Sequence, residues 1–159
     1  MRCYFNSITH NYKSSVFIVI MKYEPADDLQ QRMEEIVRTL GMEHIDIARV
    51  KCFRSKGSST KRTIARCHTV GKLMQKAMNM PAHYAIEFLE RFERMPQGEQ
   101  DKVIIHELMH IPKTFGGGFR QHDFVCEQNV EIMHEKFMNL KQKGMTQEQP
   151  QKKMFPFWR

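Results

Sequence analysis

The segment HELMHIPKTFGGGFRQHD, His106 to Asp123, restricts what this chain can fold into more than any other stretch. An α-helix completes a turn in 3.6 residues, so His106 and His110 project from one helix face and both imidazoles reach a single metal ion. Glu107 flanks that face, where it is placed to take a proton from a water on the metal rather than to bind the metal itself. The neighbouring residues agree. From Asp101 to Ile111, apolar side chains occupy nearly every side except the edge that carries His106, Glu107 and His110, the pattern of a buried helix with one polar stripe. Pro112 disfavours helical backbone at Ile111 and ends the helix just past the second histidine. Gly116, Gly117 and Gly118 then permit a sharp reversal that returns His122 to the same site. Glu127, Glu131 and His134, on a helix predicted further along, are rivals for the third ligand position.

These residues also carry a resemblance. The run HELMHIPKTF with Arg120 and His122 downstream, preceded by the strand-like HYAIEFLERF and the helix start EQDKVII, resembles the zincin-type metallopeptidases of archaea and phages, distant relatives of the SprT-like enzymes. The resemblance extends from about Pro25 to Leu140. It implies a minimal zincin fold, one zinc ion per chain on His106, His110 and His122, Glu107 as general base, and a protein or peptide substrate. The metzincin pattern is not met, because the position it gives to glycine is Lys113. Three neutral imidazoles leave zinc a fourth position for water. Asp123 or a backbone carbonyl is the candidate for orienting one imidazole, and Arg120 is the nearest cation to a developing oxyanion, although a salt bridge is the plainer role for it. A metal-stabilised binding module without hydrolysis is the competing function. Glu107 speaks against it, since a purely structural site gains nothing from a base beside its ligands.

The remaining chain reads as one α+β domain over 22–144, with an arm at 1–21 and a polar tail at 145–159. Asp27 and Asp28 at the positive end of a helix dipole, then Leu29, Met33, Ile36, Val37 and Leu40 at helical spacing, predict a packing helix from Pro25 to Gly41. From Ile45 the period changes to two. A turn at SKGSST predicts a hairpin that returns through Ile64 to Val70 and sets Cys52 opposite Cys67, as buried thiols or, less simply, as part of a second metal site with His68. A short helix or turn follows at 71–79, then a third strand from His83 to Leu89, placed at the cleft rim, with His83 and Tyr84 near its start as packing or rim residues or, less simply, as substrate contacts. The stripe Cys126, Val130, Met133, Phe137 and Leu140 predicts a closing helix that ends at Gly144. The expected sheet is therefore small, mostly antiparallel and three-stranded.

Charge is unevenly distributed. Between Asp46 and Glu87 lie Arg49, Lys51, Arg54, Lys56, Lys61, Arg62, Arg66, Lys72 and Lys76 with no acidic residue, in a chain of 25 basic and 18 acidic side chains. Such a segment, 49–76, is either a solvated face or a seat for a nucleic-acid backbone. The apolar run Val16 to Met21 is too short to span a membrane and lacks the small-residue cleavage site of a secretion signal. The expectation is a cytoplasmic protein with free thiols and no membrane association.

Overall fold

The computed structural model describes residues 21–58, 60 and 62–147. The run at 16–20, Lys61 and the aromatic end of the tail lie outside them. The chain runs β1 (Lys22–Pro25), α1 (Asp27–Leu40), β2 (Val50–Lys56), β3 (Ala65–Thr69), α2 (Lys72–Ala77), β4 (Tyr84–Leu89), α3 (Gln97–Met109) and α4 (Glu127–Gln147). The fold is α+β, but the sheet corrects the expectation: it has four strands in the order β1-β2-β4-β3, and β2 pairs with β4 in parallel.

The extra strand is β1, whose last residue is Pro25, so the proline expected inside the first helix closes a strand instead. The hairpin expected between β2 and β3 does not form, because β4 lies between them. The physical reason lies in β4: Tyr84, Ile86, Glu87, Phe88 and Leu89 are all buried, and a strand buried on both faces belongs in the sheet interior. The connection 57–64 is also longer than a tight hairpin turn and can carry the chain past a strand. Cys52 and Cys67 both register on Ile86, one on each side. Two strand spacings, about 9.5 Å, separate them, which is beyond the reach of a disulfide; both are free thiols.

Helices α1, α3 and α4 cover one face of the sheet. Leu29, Met33, Ile36, Val37 and Leu40 of α1 join Val50 and Cys52 of β2, Ile86 and Phe88 of β4, Ile104, Ile105 and Leu108 of α3, and Phe137 of α4 in one core. Asp27 and Asp28 sit in the first turn of α1, where Asp28 binds the Arg54 guanidinium at 2.6 Å, and Gly41 ends the helix in the left-handed region at φ 65°. α4 touches both α1 and α3 and continues to Gln147, past the stop expected at Gly144. Placing β4 in the centre leaves β3 as the edge strand, and β3 is the strand that α3 contacts. The rim of the cleft is thus formed by β3, not by β4. Among the described residues, no helix is long and apolar enough to cross a membrane.

Candidate metal centre

The N-terminal half of α3 is fixed to α1 by Arg32, whose guanidinium bonds Asp101 at 2.6 Å, Gln100 at 2.9 Å and the Gln97 carbonyl at 2.6 Å. Both charged side chains are largely withdrawn from water, so this pair holds the helix more firmly than an exposed pair would. At the other end of α3, His106 and Glu107 occupy the last turn and His110 is the capping residue just beyond it. The chain then turns through the glycines and comes back alongside. Arg120 N–H donates to the His110 carbonyl at 2.8 Å, and His110 Nδ1 lies 3.0 Å from the Arg120 carbonyl. A carbonyl only accepts, so Nδ1 carries the proton and Nε2 presents its lone pair. A backbone carbonyl therefore orients this imidazole, and Asp123 instead accepts from Phe124 N–H at 2.8 Å.

His106, His110 and His122 form a cluster in which one ring nitrogen from each lies within 4.8 Å of the others. The Nε2 atoms of His106 and His110 are 3.2 Å apart, and two nitrogens each bonded to a tetrahedral ion at about 2.0 to 2.1 Å would be roughly 3.4 Å apart. The His122 ring centroid lies 4.8 Å from that of His110 and 5.8 Å from that of His106. The donor set fits a zinc-like cation: three imidazoles, one already fixed in the ligating tautomer. Burial, followed by the neighbouring His110 and His122, lowers His106 to about 4, so it is neutral and able to ligate at pH 7. None of the rival ligands joins the cluster. Glu131 is bound by Lys102 at 2.7 Å, Glu127 lies in a neighbouring cleft, and His134 Nε2 is buried with no hydrogen-bond partner among the described residues.

Glu107 is 7% exposed. Burial raises its carboxyl to about 7, and the nearby Cys67 N–H works against that shift. That N–H comes from the free side of β3. The bonds Leu89 N–H to Ile64 O and Val70 N–H to His83 O turn alternate residues inward, so Ala65, Cys67 and Thr69 direct their backbone groups to the open edge. Two clefts meet at Glu107. One, of about 520 Å³, lies toward Val103 and Val130; the other, of about 510 Å³, lies toward Phe119 and His122; Ala65, His106 and Glu107 border both.

His83 and Tyr84 bond the chain's own backbone, in keeping with packing rather than substrate contact. His83 Nδ1 faces the Pro81 carbonyl at 2.9 Å. Tyr84, 2% exposed, donates its hydroxyl to Gly118 O at 3.0 Å and accepts from Gly117 N–H at 2.9 Å. The Gln75 amide of α2 donates to Gly116 O at 3.2 Å and to Val70 O at 2.6 Å. Gly117 has φ 83°, and a Cβ there would lie 2.6 Å from the Val70 carbonyl and against the Gln75 amide. The loop that brings back His122 is thus clamped by two side chains that periodicity could not single out. The basic segment is also less bare than its composition: Arg49, Arg54, Lys56 and Arg66 pair with Asp46, Asp28 and Glu93, Glu24, and Glu87, respectively.

A family model described as putative phage metallopeptidase matches residues 21–145. The chain belongs to that family. Membership in the phage metallopeptidase family indicates a metal-dependent protease, and the histidine triad is a group that can hold the ion. Comparison with curated proteins gave no match, and comparison with solved structures gave none. Tyr84→Phe should keep the fold and loosen the glycine loop. Titration with a competing chelator should find metal affinity lower by roughly tenfold, since the loop that carries His122 loses two hydrogen bonds of about 1 kcal/mol each. Affinity equal to wild type would show that the clamp does not support His122.

Proposed function

We propose that this protein is a zinc endopeptidase in which His106, His110 and His122 hold the ion and Glu107 is the general base. The observation that carries the proposal is the convergence of three imidazole nitrogens, within 4.8 Å of one another, beside a buried carboxylate at the junction of two clefts. Bound zinc supplies Lewis acidity and lowers the pKa of water to about 7. Glu107 takes the proton of the attacking water and delivers it to the leaving amine nitrogen. The Cys67 N–H beside Glu107 favours the ionised carboxylate that accepts the proton. An extended substrate adds as a further strand to the open edge of β3, where the backbone groups of Ala65 lie next to the reacting centre. His110 keeps its proton on Nδ1 through the Arg120 carbonyl. Arg120 is stacked on the Phe124 ring, 3.2 Å from its centroid, and faces the second cleft.

The test is digestion of a pool of unstructured peptides, with new termini identified by mass spectrometry. Internal cleavage is expected, should stop when the metal is chelated, and should return with one equivalent of zinc. Cleavage that persists through chelation would contradict the proposal.

A further inference from the structure

The two clefts that meet at Glu107 differ in charge. The first has an apolar floor of Ile64, Met95, Val103 and Val130. Glu99, Glu127 and Glu131 stand around that floor against Lys102 and Arg62. Lys102 is already held between Glu99 at 3.2 Å and Glu131 at 2.7 Å, whereas Glu127 is exposed and makes no ion pair among the described residues. The second cleft is lined by Arg120 and bordered by Arg66, whose guanidinium turns to Glu87 and Thr60, and Glu107 is its only carboxylate among the described residues. Arg66 is partly balanced by Glu87 at 3.6 Å; Arg120 rests on an aromatic ring rather than on an acid.

We infer that the groove selects peptides by the order of their charges, taking a basic side chain in the first cleft and an acidic one in the second, on opposite sides of the scissile bond. This rests on the proposal that the groove binds an extended peptide. A lysine or arginine suits the first cleft because its methylene stem covers the apolar floor while its cationic head reaches Glu127. An acidic side chain suits the second because Arg120 offers a cation there. Clefts with low-dielectric walls focus such fields, so charges of opposite sign on the two sides of Glu107 distinguish the two directions in which a peptide can lie.

The experiment uses two fluorescently labelled decapeptides of identical composition. One has arginines before and aspartates after a central Ala-Leu; the other has the reverse order. Anisotropy titrations use the zinc-loaded Glu107→Gln protein, which should bind without cleaving. One order should bind about tenfold more tightly at about 20 mM salt, with the gap narrowing at about 300 mM, where charges are screened beyond about 6 Å. Glu127→Lys should reduce the preference to within about twofold, and its circular dichroism checks that α4 is intact. Equal binding of both orders, no measurable binding of either, or a preference unchanged in Glu127→Lys would overturn the inference. Wild-type protein separates the two proposals. Peptide cleavage without an order preference removes the charge inference alone, whereas an order preference in a protein that cleaves nothing removes the peptidase.

Discussion

Glu107→Gln should retain its metal and lose roughly 10² to 10⁴ of its hydrolytic rate, the range associated with removing a general base. Gln has the shape of Glu, so the last turn of α3 should pack as before. Only the capacity to take a proton disappears. The measurement is kcat/KM on one cleaved peptide beside metal content in the same preparation. A loss confined to kcat with KM unchanged would mark a group used in the transition state. An undiminished rate would remove Glu107 from the mechanism; loss of metal together with activity would make it a structural part of the site instead.

How much of this was legible beforehand depended on how local each feature is. His106, Glu107 and His110 lie on one helical end, and helical spacing alone brings them together. His122 was reachable by inference because Pro112 and the glycines limit where the chain can go after α3. The sheet was not legible in the same way. A period of two locates β2 and β3, but strand order depends on which strand buries both faces, and β4 took the centre from the expected hairpin. The consequence for the site is direct: the edge beside Glu107 is β3, and its Cys67 N–H lies near the base. Tyr84 and Gln75 were opaque for a related reason. An aromatic at a strand start and a glutamine on a short helix look like ordinary packing and surface, and only tertiary folding sets both against the loop at Gly116 to Gly118. The charged segment 49–76 looks barer in the sequence than in the fold, since its acidic partners come from outside it, as with Arg54 between Asp28 and Glu93.

The third ligand is where the account is most exposed, because His122 reaches the other two histidines only through the clamped loop. Removing one of three imidazoles should lower zinc affinity by roughly 10² to 10³, given that structural zinc sites of four ligands are worth about 10 to 16 kcal/mol in all, or about 2.5 to 4 per ligand. Glu131 cannot take over without leaving Lys102, to which it is bound at 2.7 Å. The measurement is zinc per chain by elemental analysis, after dialysis against a weak chelator, for wild type and His122→Ala side by side. About one zinc in wild type and a small fraction of one in His122→Ala is the predicted result; a full equivalent in His122→Ala would contradict the three-histidine site.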